Sequence, residues 1–157
     1  MTAMPDTQPV PLSIDEAKPV SVTAREPVTP KPTALLGSGN QTCAFVREVI
    51  ARSQSQRFGV AEIGVWLGDT SLELARLLPP AGFLHLFDYD DLVQPAKQRL
   101  AQEGYANVSA FGCARKWRDS YNWPLMRILN ASPVPIYDYV YLDGAHDWTI
   151  DGFAFSS

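Results

Sequence analysis

The 157-residue sequence has few cysteines and no excess of basic residues. Its two cysteines, Cys43 and Cys113, form no CxxC pair, which excludes a disulfide framework or a zinc site made by cysteines alone and favours a reducing cytoplasm. Lys and Arg total 13 against 17 Asp and Glu, so the net charge is −4. Proteins that bind nucleic acid through its phosphates usually carry a basic surplus. We therefore expect no nucleic-acid partner.

Long apolar runs are also missing from the sequence. No run reaches the length that crosses a bilayer, and the N-terminus lacks the charged-then-apolar layout of a secretory signal. The length suits one ordinary domain and is short for two. The sequence therefore predicts one cytoplasmic domain with no membrane partner.

The first 36 residues differ in composition from the rest of the chain. They contain seven of the 13 prolines and no glycine, aromatic residue, histidine or cysteine. Closely spaced prolines stop helix propagation, and a segment without aromatic side chains has little apolar surface to offset the entropy cost of ordering. We predict a disordered, Pro-rich tail over residues 1–34 and a folded domain over residues 35–157.

The remaining sequence alternates short apolar runs with segments of helical periodicity, which is typical of βαβ units and a parallel sheet. Four strands are predicted, over residues 58–63, 83–87, 107–111 and 136–142. Pro95 and Pro124 each suit the first turn of a helix. Because the chain ends soon after the fourth strand, we expect either a truncated chain or one completed by a partner. An uncovered edge on that strand would favour a homo-oligomer.

The first predicted strand runs into a glycine turn with the sequence EIGVWLGDTS, which begins at Glu62. Open α/β sheets bind ligands at such a turn, beyond the carboxyl end of the strand. Gly64 would let the backbone approach a ligand, and Gly68 lies where helix amides point outward. The spacing differs from the G-x-G-x-x-G of a dinucleotide cradle, and the acidic residue suits a ligand with a positive group. The alternative is an ordinary strand-to-helix turn without a ligand.

A second acidic residue, Asp88, directly follows the apolar run of the second predicted strand. A carboxylate at this edge of a sheet can accept both hydrogen bonds of a ribose diol. Asp90 and Asp91 follow closely, so the alternative is an acidic strand end that only solvates a turn. His85, inside the same strand, is interpreted as a core histidine with satisfied hydrogen bonds.

The fourth predicted strand ends in the sequence YDYVYLDGAH. Alternation places Tyr137, Tyr139, Tyr141 and Asp143 on one face of this strand. Asp143 then emerges at the carboxyl end of the strand, and His146 can reach the same crevice. The pair could bind a divalent cation, or the histidine could take a proton from a substrate hydroxyl. The alternative is an Asp-Gly turn with a surface histidine.

Together the three motifs resemble those of the class I S-adenosylmethionine-dependent methyltransferases. The likeness is greatest to the small-molecule O-methyltransferases that carry a D-G-x-H turn after strand four, and it extends over about residues 38–155. It implies a Rossmann-like three-layer α/β sandwich with a parallel sheet in the order 3-2-1-4, the remaining strands being absent. It also implies methyl transfer from S-adenosylmethionine to an oxygen of a small-molecule acceptor.

The resemblance also implies which residues line the cofactor. By position these residues are Glu62, Gly64, Trp66, Gly68, Asp88, Gly112 and Cys113. The methionine part of the cofactor would lie against Glu62, Gly64 and Gly68, and Trp66 would form a wall of the pocket. The aspartate would hold the ribose hydroxyls, whereas Gly112 and Cys113, after strand three, would lie at the adenine ring.

The catalytic candidates are Asp143 and His146. In metal-dependent members of the family the aspartate after strand four is a ligand, which makes Asp143 a candidate ligand of Mg²⁺. Those members draw further ligands from an acidic pair after strand five, and this sequence has no such strand.

Two other functions are open on the sequence. A nicotinamide-dependent oxidoreductase would share the sheet and the acid after strand two, although its glycine pattern is absent. A non-catalytic methyltransferase-like module, which binds cofactor weakly or not at all, would fit the short C-terminal part.

Overall fold

The computed structural model describes residues 37–115, 119–144 and 152. Helices and strands alternate in the order α1 (Ser38–Ser53), β1 (Gly59–Ile63), α2 (Asp69–Leu77), β2 (Phe83–Tyr89), α3 (Asp90–Gln102), β3 (Val108–Cys113), α4 (Asn122–Ala131) and β4 (Tyr139–Leu142). All of these elements lie within one unit of the chain, Ala34–Ser157. The tail predicted over residues 1–34 lies outside the described residues, among which no helix is long and apolar enough to cross a membrane.

The four strands are parallel and lie in the order β3-β2-β1-β4, which confirms the predicted topology. Ile63, the last residue of β1, lies between Phe87 of β2 and Leu142 of β4. The chain moves outward from β1 to β2 and β3, and then returns to β4 on the other side of β1. The direction of strand progression thus reverses at β1, between β2 and β4, and open α/β sheets form a ligand crevice at the carboxyl edge of such a point.

Helices cover both faces of the sheet, so the predicted three-layer sandwich is confirmed. Apolar residues of α1, α2 and α3 pack on one face, against Val60, Leu84 and Leu86. On the opposite face, Leu125 of α4 and Tyr121, which precedes that helix, pack against Ala61, Ile63 and Phe87. All five residues of β1 are buried, as expected of a central parallel strand covered on both faces.

The helix α3 begins at Asp90, earlier than expected from Pro95, which was predicted to lie in its first turn. Pro95 lies inside the helix, whose first turn is formed by Asp90 and Asp91 instead. Two acidic side chains in a first turn interact favourably with the helix dipole. The proline removes only one backbone donor, and the helix continues through it to Gln102.

The fourth strand begins later than predicted, and this changes the position of one tyrosine. Because β4 starts at Tyr139, the alternation does not extend back to Tyr137, which packs on the opposite face of the sheet. The prediction that all the tyrosines share one face is therefore wrong. Asp138 fixes the entry to β4, since its Oδ2 accepts a 2.7 Å hydrogen bond from Gly59 N–H. His85 is a satisfied core histidine, as predicted, and its Nδ1 lies 2.8 Å from the Tyr137 hydroxyl.

Candidate functional site

Three carboxyl groups meet at the carboxyl edge of the sheet. Glu62 is near the end of β1, Asp88 is near the end of the neighbouring β2, and Asp143 directly follows β4 on the other side. The negative charges of Asp143 and Asp88 both act on the Glu62 carboxyl. The structure therefore brings together the acidic residues of all three sequence motifs around one crevice.

Glu62 is the most deeply buried of these acids, with 1% of its surface exposed. Its Oε2 has no hydrogen-bond partner. Burial, then the charges of Asp143 and Asp88, raise the pKa of Glu62 to about 8, against a lowering effect of the Ser71 hydroxyl. The Ser71 hydroxyl is itself fully buried, and neither Ser71 Oγ nor Glu62 Oε2 meets the geometry of an ordinary hydrogen bond. A buried carboxyl beside an unpartnered hydroxyl is ready to bind a polar ligand group.

The Asp88 carboxylate supports the loop that connects β1 to α2. Its Oδ2 accepts hydrogen bonds from the backbone N–H of Val65 at 2.6 Å and of Trp66 at 3.0 Å. Its Oδ1 accepts a third, at 2.7 Å, from the N–H of Tyr89. A carboxylate offers about four lone-pair sites, so the side chain can also accept a hydrogen bond from a ligand.

The glycine turn allows two loops to approach each other closely. Gly64 has a φ of +89°, and a Cβ at this position would overlap the carbonyl oxygen of Asp143. The same junction is held by a 2.8 Å hydrogen bond from Asp143 N–H to the Ile63 carbonyl and by one of 2.9 Å from Gly64 N–H to the Phe87 carbonyl. Gly68 lies at the N-cap of α2. The backbone therefore fixes the start of the glycine turn to β2 and the residue after β4 to the end of β1.

Asp143 is oriented by the strand that precedes it. The Tyr141 hydroxyl donates a 2.7 Å hydrogen bond to Asp143 Oδ2, and the buried Tyr141 pairs in register with Glu62. Within the described ranges, no three His, Cys, Asp or Glu side chains are grouped so that they could hold a metal ion. The side chains described around Asp143 therefore do not fit Mg²⁺, and we assign no metal ligand. His146 lies outside the described residues.

The residues predicted at the adenine ring end β3 rather than follow it. Gly112 leaves room for a neighbouring acid, since a Cβ there would overlap the carboxylate of Asp90. The buried thiol of Cys113 is surrounded by acids as well. Burial, followed by the charges of Asp119, Asp88 and Asp90, raises its pKa to about 11. Cys113 is therefore an unreactive thiol in an acidic pocket.

Trp66 lies on the outer side of the glycine turn. Its side chain is 70% exposed and lines a cavity of about 210 Å³ against α3, together with Leu67, Pro95 and Arg99 among others. Arg99 fastens α3 to the turn through hydrogen bonds to the Leu67 carbonyl at 3.1 Å and to Asp69 Oδ1 at 2.7 Å. The placement of Trp66 in the wall of a cofactor pocket stays a prediction.

Sequence reasoning missed the part that Ser71 plays in the crevice. The hydroxyl of Ser71 makes no side-chain cap of α2, and it acts on the Glu62 carboxyl instead. A signal was present, because Ser71 lies in the first turn of a helix that leaves the same strand as Glu62. The loop contacts of Asp88 had no such signal, since they join residues 22 and 23 positions apart.

No protein-family model and no curated protein matches the sequence. The structure is similar to that of the O-methyltransferase TomG from Streptomyces achromogenes, which is involved in tomaymycin synthesis and was solved with SAM. That match has 23% identity and a TM-score of 0.54, and it covers 74% of this chain and 49% of TomG. An O-methyltransferase from Bacillus cereus, solved with SAH, matches with 13% identity and a TM-score of 0.51.

That second match covers 72% of this chain and 47% of the Bacillus cereus protein. The chain thus spans about half the length of these two methyltransferases. The parallel sheet in the order β3-β2-β1-β4, with helices on both faces, makes this a Rossmann-like α/β fold. The chain shares this fold with the two O-methyltransferases.

Proposed function

We propose that the chain is part of an S-adenosylmethionine-dependent methyltransferase that methylates an oxygen of a small molecule. In this proposal residues 35–157 form part of the catalytic domain, and residues 1–34 are a tail outside it. The observation that carries the proposal is the meeting of Glu62, Asp88 and Asp143 behind the glycine turn. That arrangement occurs in a fold that O-methyltransferases share.

The chemistry of the crevice fits the groups of this cofactor. S-adenosylmethionine carries an ammonium, a carboxylate, a ribose diol and a sulfonium. The unpartnered Glu62 Oε2 would accept a hydrogen bond from the ammonium, and the Ser71 hydroxyl would donate one to the carboxylate. Asp88 would accept a hydrogen bond from a ribose hydroxyl with the Oδ1 lone pair that the backbone leaves unused.

When bound, the cofactor supplies a methyl group on a positively charged sulfur, ready for in-line displacement. The protein's task is then to orient the acceptor and to receive its proton. We propose Asp143, held by the Tyr141 hydroxyl, and His146 as the groups that take this proton. The proposal includes no step through a metal ion.

Two further parts of the proposal concern the environment of the protein. Cys43 and Cys113 are free, buried thiols, which suits the reducing cytoplasm. Within the described residues β4 pairs only with β1, and its Val140 is about half exposed. An edge of this kind supports self-association as the oligomeric prediction.

Calorimetry tests the cofactor assignment. The chain should bind S-adenosylhomocysteine and should not bind NADH. Asp88→Ala should weaken that binding at least tenfold, since about 1.4 kcal/mol corresponds to a factor of ten. Glu48→Ala is the control, because Glu48 is exposed on α1 and pairs with Arg52 of the same helix. Binding of NADH in place of S-adenosylhomocysteine would overturn the proposal in favour of the oxidoreductase.

A second experiment separates an enzyme from a binding module. The chain is incubated with a cell extract and S-adenosylmethionine labelled in its methyl group. We expect label to enter small molecules with wild-type protein but not with Asp143→Asn, which should still bind S-adenosylhomocysteine. Binding without any transfer of label would identify a non-catalytic module instead.

A further inference from the structure

The three carboxyl groups of the crevice differ in the donors available to them. Asp88 accepts three backbone N–H hydrogen bonds. Asp143 accepts one from the Tyr141 hydroxyl. Glu62 is the most buried of the three, and its Oε2 receives no hydrogen bond at all. Hydrogen bonds from donors favour the charged form of a carboxyl group, whereas burial without them favours the neutral form.

The other groups that face Glu62 supply no positive charge, although the Ser71 hydroxyl lowers the pKa of Glu62 against the larger effect of burial. They come from each element packed around it: the Cys43 thiol of α1, the Ser71 hydroxyl of α2 and Tyr141 of β4. These groups are neutral, and the two charged groups that act on Glu62 within the described residues, Asp88 and Asp143, are both negative. Two negative charges that act on a buried carboxyl group, with no positive charge beside them, favour the neutral form of that group.

We infer that Glu62 selects the charge of the ligand: it is protonated in the ligand-free protein and loses its proton to solvent when a cationic ligand group occupies the crevice. The inference rests on the proposed function, since it assumes that an S-adenosyl compound binds here. In the exchange the carboxyl O–H bond breaks, the proton passes to the buffer, and the carboxylate pairs with the ligand ammonium. The total charge is conserved.

The inference predicts which ligands release a proton. S-adenosylhomocysteine carries an ammonium and should release one, whereas 5′-methylthioadenosine has no cationic group and should bind without release. The pKa of Glu62 is raised to about 8 by burial, so the released fraction at pH 7 should be about 0.9 proton per ligand. Between pH 6 and pH 7 the ligand amine is itself charged, because the ammonium of a free amino acid, beside its own carboxylate, loses its proton only well above neutral pH. Between pH 6 and pH 7 the affinity for S-adenosylhomocysteine should therefore rise almost tenfold.

The test is calorimetric titration at pH 7 in two buffers with different ionisation enthalpies, which together give the number of protons released. The wild-type chain and Glu48→Gln should release about 0.9 proton with S-adenosylhomocysteine. Glu48 is the matched control because it is exposed on α1 and pairs with Arg52. Glu62→Gln should bind without release, and its affinity should not change between pH 6 and pH 7.

The outcomes separate the inference from the proposed function. Binding of S-adenosylhomocysteine to the wild-type chain without proton release would overturn the inference and leave the proposed function standing. Undiminished release from Glu62→Gln would assign the proton to another group, and it would overturn the inference too. If Glu62→Gln does not fold, the comparison of the two ligands on wild-type protein decides, since equal release with both contradicts the inference. Binding of neither ligand would overturn the proposed function itself.

Discussion

Replacing Glu62 by glutamine should remove a pH dependence from the stability of the ligand-free protein. In the folded state, burial first and the nearby carboxylates second raise the pKa of Glu62 from its ordinary value of 4.5 to about 8. The folded chain therefore holds a proton that the unfolded chain has already lost between these pH values. The stability that this proton contributes is fully present below pH 4.5, and it is lost as the pH rises towards 8.

The size of the effect follows from the difference between the two pKa values. One pH unit corresponds to about 1.4 kcal/mol, so the rise from pH 4.5 to pH 7 should cost the wild-type chain roughly 3 kcal/mol through this group. Solvent does not reduce the figure, because Glu62 is almost completely buried. Glutamine has nearly the same shape and cannot ionise, so Glu62→Gln should be the more stable protein at pH 8.

Urea denaturation followed by tryptophan fluorescence at pH 5, 6, 7 and 8 measures this difference. Other groups also titrate, notably His85, whose pKa burial lowers to about 4 and which favours stability at the higher pH values. These contributions are shared by the variant, so only the difference between the two proteins is used. Glu48→Gln should follow the wild-type chain. If the free energy of unfolding changed with pH in the same way for the wild-type chain and for Glu62→Gln, the reasoning would be refuted.

Three other substitutions test the packing around the site. Gly64→Ala should lower Tm by several degrees or prevent folding, because its Cβ would overlap the Asp143 carbonyl oxygen; an unchanged Tm would contradict that close approach. Asp88→Ala should speed amide hydrogen exchange in the β1–α2 loop of the ligand-free chain, as measured by mass spectrometry, and unaltered exchange would show that the carboxylate does not hold the loop. Tyr137→Phe should cost about 1 kcal/mol in urea denaturation, since His85 loses its hydrogen-bond partner, and no cost would show that this bond adds no stability.

The sequence predicted the elements that position the crevice. An apolar run that ends in Glu62 and a glycine turn identifies a strand and its carboxyl end, and the runs before Asp88 and Asp143 do the same for two more strands. Parallel strands align these ends at one edge of the sheet. The placement of the three acids at one edge therefore follows from local patterns, whereas the strand order was implied by the resemblance that the three motifs carry.

Features that depend on three-dimensional contacts were not predictable in this way. The apolar-polar alternation of the sequence continues before Tyr139, where the fourth strand actually begins. The face of the sheet predicted for Tyr137 was therefore wrong. Trp66 stands next to the glycines in sequence, yet its side chain turns towards α3. The loop contacts of Asp88 were invisible because they join a side chain to backbone amides of another loop.

The most direct test of the central claim is a crystal structure of the chain with S-adenosylhomocysteine. We predict that a ribose hydroxyl lies within hydrogen-bond distance of Asp88 and that the amino group lies within hydrogen-bond distance of Glu62. The ligand should rest on the turn between Gly64 and Gly68. A ligand bound remote from all three carboxyl groups would contradict the account.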